Sequence, residues 1–449
     1  MWFYSNHPTN YNPVISQGFL LETVIPKPIL KPRIAWLLFF AEKASFLTKG
    51  VNFATNNFQM SDQYHYDMRG VSATKDEVHA AIKNLDKGLF PLAFCKVLPD
   101  VVAGDAEYCN IMHADTAGTK TSLAYLYWKE SGDVDVWKGI VQDSIVMNLD
   151  DMACVGCVND IVLSSTIGRN KHLITGEVIS KIINGAVDFV KMLEEHGCKV
   201  HMAGGETADV GDIVRTIDVG YTAFARMKRS DLIVNDIQPG DVIVGFASDG
   251  QATYESEYNG GMGSNGLTSA RHDVLNYEYA DLYPESFDPN TPMEVVYVGL
   301  QKLLDPVKAG NVRTDVGKLM LSPTRTYIPL LVEIFKKHRS LINGIIHCTG
   351  GGQTKVKHFI KNRKIIKDNL FPVPKLFEMI KEESNGSWKE MYQVFNMGHR
   401  LEIYLPEKHA QELIDIAKSF NINAQIVGRV EEQEGEAVEI IGDFGKLEY

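Results

Sequence analysis

Residues 177–208 read EVISKIINGAVDFVKMLEEHGCKVHMAGGETA. Before Gly197, which stands where helices commonly end, six apolar residues recur at helical spacing: Ile179, Ile182, Ile183, Ala186, Val190 and Leu193. A short strand from Lys199 to Ala203 follows directly. The stretch therefore predicts a long amphipathic helix that runs into a strand, with a glycine pair turning the chain at the strand's far end.

Helix and strand patterns alternate on both sides of this stretch. Upstream, Thr74 and Glu77 form a capping box in front of an apolar helical pattern. Downstream, residues 213–226 are rich in β-branched and aromatic residues and predict a long strand. This alternation predicts an α/β (α+β) fold.

The length of the chain and one turn predict its domain organisation. A chain of 449 residues exceeds what one hydrophobic core usually serves, so two domains are expected. Pro239-Gly240-Asp241 forms a turn into an apolar strand pattern at 242–247, and we place the boundary there. We expect an N-terminal domain over 60–238 and a C-terminal domain over 239–449, the latter with a helix near 326–337 and strands near 400–405 and 424–430.

Residues 1–59 differ in composition from the rest of the chain. They mix Asn, Thr and Pro with one apolar run at 34–41, which follows Lys31 and Arg33. That run is too short to span a bilayer, which takes about twenty residues, and it lies too far from Met1 for a signal peptide. We expect a poorly ordered extension, with Met60 as the functional start.

Charge and cysteine usage limit the possible partners and the compartment. A net charge of -12 argues against nucleic acid as the main partner, because phosphate neutralisation requires a basic surface. Six irregularly spaced cysteines indicate a reducing compartment and hence the cytoplasm. Cys154 and Cys157 have the C-x-x-C spacing of zinc sites, but no second ligand pair accompanies them, so we expect buried thiols.

The segment His113–Lys120, HADTAGTK, follows an apolar strand pattern. Asp115 offers a metal ligand, Gly118 and Thr119 offer backbone donors, and Lys120 is a cation. A triphosphate with Mg²⁺ requires these groups. An exposed loop with incidental charges remains the alternative.

Acidic residues and a second glycine pair lie in the next two segments. Asp143, Asp150 and Asp151 share one face of a buried helix pattern, so we expect them to converge on a cation, with capping or salt bridging as the alternative. After the strand at 199–203, the paired glycines would let the backbone approach a ligand, and an acidic oxygen and a hydroxyl follow: Gly204, Gly205, Glu206 and Thr207.

Two glycine-rich segments in the second half could hold a phosphate through backbone N–H groups, with flexible loops as the alternative. They contain the candidate substrate-binding residues Ser264, Asn265 and Gly266, and Thr349, Gly350, Gly351 and Gly352. Together with the predicted nucleotide site, they suggest a second, phosphorylated ligand.

Read in order over about 70–431, these motifs resemble those of the phosphoribosylformylglycinamidine cyclo-ligases, also called aminoimidazole ribonucleotide synthetases. The motifs that carry the resemblance are DTAGTK at 115–120, 143–151, GGETA at 204–208, SNG at 264–266, LSPTRTY at 321–327, HCTGGG at 347–352 and 390–398. The resemblance implies an N-terminal sheet that forms half of a barrel across a homodimer, and a C-terminal α/β domain that covers the substrate. It further implies ATP-dependent ring closure of formylglycinamidine ribonucleotide, in purine biosynthesis, without nucleic-acid or membrane partners.

The resemblance also implies roles for the candidate residues. Lys120 and Asp115 are the expected catalytic residues. The expected nucleotide-binding residues are Gly118, Thr119, Asp143, Asp151, Gly204, Gly205 and Thr207. Mg²⁺ is expected at Asp115, Asp143, Asp151 and Glu206.

The sequence departs from the family pattern at several positions. Asp150 replaces an asparagine, Gly263 replaces a histidine, and about ten residues, 252–262, are inserted before it. The family's N-terminal glycine loop is missing as such. Two alternatives therefore stay open, namely a relative that phosphorylates another small acceptor and a non-catalytic nucleotide-binding paralogue.

Overall fold

The computed structural model describes residues 66–71 and 76–449. The first half of the described chain contains helices α1 (Asp76–Ile82), α2 (Lys120–Ser131), α3 (Val136–Ala153) and α4 (Gly176–Glu195). Its strands are β1 (Val97–Pro99), β2 (Tyr108–Thr116), β3 (Ile161–Arg169), β4 (Val200–Asp209) and β5 (Ile217–Lys228).

The second half contains more and shorter elements. Its helices are α5 (Leu267–Val274), α6 (Glu278–Leu282), α7 (Val316–Leu321), α8 (Ile328–His338), α9 (Lys375–Ser384), α10 (Trp388–Val394) and α11 (Ala410–Ser419). Its strands are β6 (Asp241–Ala247), β7 (Asp249–Gly250), β8 (Asn259–Gly260), β9 (Pro306–Ala309), β10 (Val312–Asp315), β11 (Gly344–His347), β12 (Arg363–Lys367), β13 (His399–Pro406), β14 (Ala424–Glu432), β15 (Glu436–Gly442) and β16 (Gly445–Glu448).

The strands of the first half form one sheet in the order β1-β2-β5-β3-β4, in which β3 and β4 are parallel. Helix α3 packs against β2 and β5, and α4 packs on α3. The opposite face carries a row of neighbouring side chains, Met112, Phe224 and Val162, at paired positions of β2, β5 and β3. Met112 is 60% exposed, so this face of the sheet presents apolar surface.

The second half is built on a sheet in the order β11-β13-β6-β14-β12-β15-β16. Strand β6 is buried along its whole length, because β13 and β14 pair with it on both sides and α11 packs over it. Helix α8 packs on α11 and also touches α3 of the first half. The mixed α/β class predicted from the sequence is confirmed.

The predicted helix at 177–195 is confirmed as α4. Thr175 accepts a hydrogen bond from the Val178 N–H at its N-terminus, and Gly197 takes φ +85° just beyond its C-terminus. The strand after it is confirmed but is longer than predicted. Strand β4 continues to Asp209, so the predicted turn at the glycine pair is wrong.

Gly204 and Gly205 lie inside β4 for a steric reason. The pairing between β3 and β4 shifts register beside them, and Gly204 takes φ +91° there. A Cβ on Gly205 would lie 2.0 Å from the Ser165 Oγ. Glycine therefore allows two strands to approach at an irregularity, where we had expected a ligand-facing loop.

Several other predictions are tested by the described residues. The helix beginning near Glu77 is confirmed as α1, whereas Thr74 lies outside the described residues. The strand predicted at 213–226 begins later, at Ile217, and the predicted turn leads into β6. All six cysteines are buried and unpaired, as expected for the C-x-x-C pair. Strands β15 and β16 were not predicted.

Three predictions on the chain as a whole have different outcomes. The expectation for residues 1–59 lies outside the described residues. The domain boundary near residue 239 stays a prediction. No helix among residues 66–71 and 76–449 is both long and apolar enough to cross a membrane.

Candidate functional site

Lys120 begins α2 and is fully buried. Its Nζ donates to the Asp143 Oδ1 at 2.8 Å and to the Ser322 carbonyl at 2.6 Å. Burial lowers the pKa of Lys120, an effect that Asp143 opposes. The Asp143 Oδ1 also accepts from the N–H and hydroxyl of Thr324. Lys120 is therefore paired inside the protein and does not face solvent.

Asp150 has a separate set of partners. Its carboxylate accepts hydrogen bonds from the Thr326 hydroxyl at 2.6 Å and from the Tyr327 N–H at 2.9 Å, directly before α8 begins. Burial raises the pKa of Asp150. The side chain therefore fixes the start of α8 to α3 and shares no partner with Asp143 among these hydrogen bonds.

Asp151 lies between two histidines. His347 Nδ1 is 2.7 Å from its Oδ1, and His113 Nε2 is 3.3 Å from its Oδ2. Burial works against ionisation of Asp151, but the hydrogen bonds with His113 and His347 outweigh burial and lower its pKa. The site thus contains a carboxylate that stays charged although it is mostly buried.

The two histidines differ in their hydrogen-bond partners. The Arg400 Nε–H donates to the His347 Nε2 at 3.2 Å, so the proton of a neutral His347 is on Nδ1, facing Asp151. His113 instead faces two oxygens, from Asp151 and Asn148. Burial disfavours its charged form, but hydrogen bonds to these oxygens, with the charge of Asp115, raise its pKa. Contacts thus run continuously from His113 to Arg400.

The predicted metal ligands do not form one centre. Along helix α3 the backbones of Asp143 and Asp151 are eight residues, or about 12 Å, apart. Across the sheet the backbones of Asp115 and Glu206 are three strand spacings, or roughly 14 Å, apart. Two oxygens on one Mg²⁺ lie within about 4.2 Å of each other. In the described chain no group of three or more His, Cys, Asp or Glu side chains is arranged to hold a metal ion. The donor set as predicted does not fit a single magnesium site.

Within this set, Asp115 and Asp151 both lie near His113, since the charge of each raises the pKa of that histidine. Glu206 and Thr207 lie on the exposed edge strand β4, away from the acidic residues of α3. The structure therefore groups Asp115 with Asp151, groups Lys120 with Asp143, and leaves the β4 residues apart.

The two glycine turns of the second half lie together. A Cβ on Gly266 would lie 2.4 Å from the Phe395 ring, and one on Gly352 would lie 2.6 Å from the carbonyls of Tyr392 and Phe395. Both turns therefore pack against the same end of α10. A Cβ on Gly350 would lie 3.9 Å from the Asn265 Oδ1, which places the SNG segment beside the HCTGGG segment.

Backbone conformation explains the glycines at 350–352. These residues take φ values of +56°, +141° and +50°, which other residues rarely adopt. Strand β11 ends at His347, and a 3-10 helix over Gly352–Phe359 follows the turn. Thr349 is buried beside it.

The nucleotide turn predicted at Gly118 and Thr119 contacts the same region. Gly118 takes φ +60°, and the Thr119 hydroxyl lies 2.7 Å from the Thr268 hydroxyl, just after the SNG segment. Three of the predicted turns are thus neighbours in space, although they lie far apart in the sequence.

Sequence reasoning missed the partners of the acidic residues. Segment 322–327 supplies groups to Lys120, Asp143 and Asp150, and its Arg325 makes a two-pronged ion pair with Glu255 of the inserted residues. LSPTRTY was visible as a motif, but no local signal showed what it binds. Arg400 was missed altogether.

A cavity of 740 Å³ lies between α3, α4 and the inserted residues. None of the predicted site residues lines it. The side chains at its wall carry mixed charges, including Asp133, Asp188, Lys138 and Arg313. Because the motifs converge elsewhere, we assign the candidate site to the turns and not to this cavity.

Comparison with known proteins tests the resemblance. The family model described as AIR synthase related protein, N-terminal domain, matches residues 95–227, and the C-terminal domain model matches 238–441. The chain belongs to the AIR synthase related family. The membership predicted from the motifs is confirmed, and with it the prediction that the chain is an enzyme.

Curated relatives of this AIR synthase related chain are named phosphoribosylformylglycinamidine cyclo-ligase. That of Methanococcus vannielii is 27% identical over 341 residues, 76% of this chain and 82% of the relative. That of Methanocaldococcus jannaschii is 28% identical over 329 residues, 72% and 79% of the two chains. Among solved structures, T. maritima PurL complexed with ADP matches 84% of this chain and 47% of its own, with 14% identity and a TM-score of 0.47.

We predict that the Lys120–Asp143 pair is required for stability. Lys120→Met removes the cation and leaves Asp143 buried without its counter-charge, so the free energy of unfolding should fall by about 3–5 kcal/mol. Urea unfolding measures this change. The matched control is Lys138→Ala, which breaks the exposed Lys138–Asp188 pair and should cost less than about 1 kcal/mol. An unchanged stability of Lys120→Met would contradict the buried pairing.

We further predict that Asp150 is structural. In Asp150→Asn the amide oxygen can still accept from Tyr327, and a buried charge is removed, so the stability should stay within about 1 kcal/mol or rise. The Mg²⁺ concentration at half-maximal turnover should not change. A higher Mg²⁺ requirement in Asp150→Asn would make Asp150 a metal ligand.

Proposed function

We propose that this protein uses ATP to close the imidazole ring of formylglycinamidine ribonucleotide, giving aminoimidazole ribonucleotide in purine biosynthesis. Membership of the AIR synthase related family supports the reaction class. The names of the curated relatives support the substrate.

The observation that carries the proposal is the meeting of the glycine turns. Segments 264–266 and 350–352 pack against one end of α10, and the turn at Gly118 touches the helix that follows the first of them. Backbone N–H groups in such turns bind phosphate oxygens without a positively charged side chain. Neighbouring turns of this kind fit a phosphorylated substrate beside a nucleotide.

The proposed reaction has two steps. The formamide oxygen attacks the γ-phosphorus of ATP, the bond from that phosphorus to the bridging oxygen breaks, and ADP leaves. An amidine nitrogen then attacks the activated carbon, the carbon–oxygen bond breaks, inorganic phosphate leaves and the nitrogen loses a proton. Ring closure is intramolecular, so the protein mainly has to hold the reacting atoms in contact and needs no nucleophile of its own.

The residues have distinct proposed roles. The turns at 264–266 and 350–352 hold the ribonucleotide, and Gly118 and Thr119 hold the nucleotide. Asp115 and Asp151 border the transfer site, where Asp151 keeps its charge. Mg²⁺ accompanies ATP in the proposal as its counter-ion, but the predicted four-ligand set does not fit one ion, so no protein ligands are assigned to it.

We also propose a homodimer formed through the exposed face of the first sheet. Met112, Phe224 and Val162 lie side by side there, and apolar rows on a sheet face are commonly covered by a second layer. Two such sheets facing each other would form the barrel that the resemblance implies.

The activity is tested by incubating the protein with formylglycinamidine ribonucleotide, ATP and Mg²⁺. We expect ADP and the aminoimidazole product to appear in equal amounts. ADP is measured by coupled oxidation of NADH, and the product is measured by a colour assay for aromatic amines. Omission of either substrate is the control. ADP without imidazole would favour a relative that phosphorylates another acceptor, and the absence of both products would favour a non-catalytic paralogue.

The dimer is tested by light scattering after gel filtration. The wild-type protein should have twice the chain mass, and Met112→Glu should shift it towards the monomer because it places a charge in the covered face. The control is Val187→Glu, which changes an equally exposed apolar residue on α4 and should stay dimeric. A monomeric wild-type protein would refute the proposed assembly.

A further inference from the structure

Within residues 66–71 and 76–449, Arg400 has one guanidinium nitrogen without a hydrogen-bond partner. Its Nε donates to His347, and its Nη2 donates to the Arg325 carbonyl. Its Nη1 has no hydrogen-bond partner among the described residues. Water does not readily take the partner's place, because Arg400 is only 1% exposed. A buried donor without an acceptor costs free energy, and more so on a charged group. An unused donor of this kind therefore indicates a ligand position.

The free nitrogen lies beside Gly263. Among the residues that the structure describes, a Cβ built on Gly263 would meet only Arg400, its Cδ at 3.9 Å and its Nη1 at 4.0 Å. The next residue, Ser264, has a buried hydroxyl that also lacks a partner among the described residues. Arg400 thus faces position 263 with one unsatisfied group, and position 264, the first residue of the SNG segment, carries another.

Glycine at 263 is required neither by the backbone nor by packing. Gly266 has a positive φ and would clash with Phe395, and a Cβ on Gly260 would lie 2.7 Å from the Leu319 carbonyl. Gly263 has no positive φ, and its Cβ would make only ordinary contacts. What its missing side chain provides is open space in front of the Arg400 guanidinium.

We propose that Arg400 Nη1 and Ser264 Oγ bind an anionic oxygen of a phosphoryl group in the space beside Gly263. This inference rests on the proposed function and adds to it the positively charged residue of the ligand site. A guanidinium N–H with a serine hydroxyl matches a phosphate oxygen in charge and geometry. The group is either the phosphate of the ribonucleotide or the transferred γ-phosphoryl group.

The position of Arg400 is consistent with both sources. Through His347 it contacts Asp151, at the transfer site. Through Gly263 it borders the SNG segment, which is the proposed ribonucleotide site. Arg400 thus lies where these two regions meet.

The test measures binding by calorimetry in the full-length protein. Ser264→Ala removes a hydroxyl that has no hydrogen-bond partner in the described part of the chain, so its melting temperature should match that of the wild-type protein. Its Kd for the phosphoryl ligand should rise about 10-fold or more. Arg400→Lys should raise the Kd by about 10–100-fold, and Gly263→Leu should block binding by filling the space. Ser256→Ala, on the exposed insertion, is the matched control.

The ligands distinguish the two sources. If the variants weaken the binding of formylglycinamidine ribonucleotide but not that of its dephosphorylated ribonucleoside, the pocket binds the ribonucleotide phosphate. If they weaken the binding of a non-hydrolysable ATP analogue but not that of ADP, the pocket binds the γ-phosphoryl group. Variants that bind every ligand as tightly as the wild-type protein would overturn the proposal.

Failure of the proposed function gives a different result. In that case the wild-type protein does not form the aminoimidazole product, but inorganic phosphate remains a probe of the pocket. Weaker phosphate binding in Ser264→Ala and Arg400→Lys than in the wild-type protein would still support the pocket. Equal phosphate binding in all of them, in an inactive protein, would overturn both proposals.

Discussion

The burial of three acidic residues on α3 is the constraint on which the rest of the structure depends. A carboxylate inside a protein must be hydrogen-bonded or paired with a charge, because the loss of water is otherwise too costly. Asp143 and Asp150 meet this requirement with groups from segment 322–327, and Asp151 meets it with His347. The acidic residues of α3, a helix of the first half, therefore depend on groups from the second half for their burial.

This constraint also determines where the candidate site forms. His347 ends β11, and the glycine turn at 350–352 follows it, so the contact with Asp151 places that turn beside the acidic residues. The Thr119–Thr268 contact brings the Gly118 turn to the start of α5. Motifs scattered along the chain thus meet because they lie next to the residues that neutralise α3.

Local patterns predicted the elements, but not the partners. The spacing of apolar residues and the capping residue were sufficient for α4, and the turn at Gly240 was sufficient to locate β6. The glycine pair in GGETA led to the wrong prediction of a turn, because glycines suit both a turn and a close approach of two strands. Acidic residues on one helix face predicted a cation, but long-range contacts gave each of them a different protein partner, which no local pattern encodes.

The inserted residues and Gly263 are connected through Arg325. Glu255 of the insertion pairs with Arg325, which lies between Thr324 and Thr326 and so between the groups that hold Asp143 and Asp150. The Arg325 carbonyl in turn accepts a hydrogen bond from Arg400, the residue that faces Gly263. A change in the insertion therefore acts on the same segment that positions Arg400. The insertion at 252–262 and Gly263 therefore act together. Glu255 anchors the insertion to Arg325, whose carbonyl holds Arg400 beside the space that Gly263 leaves open.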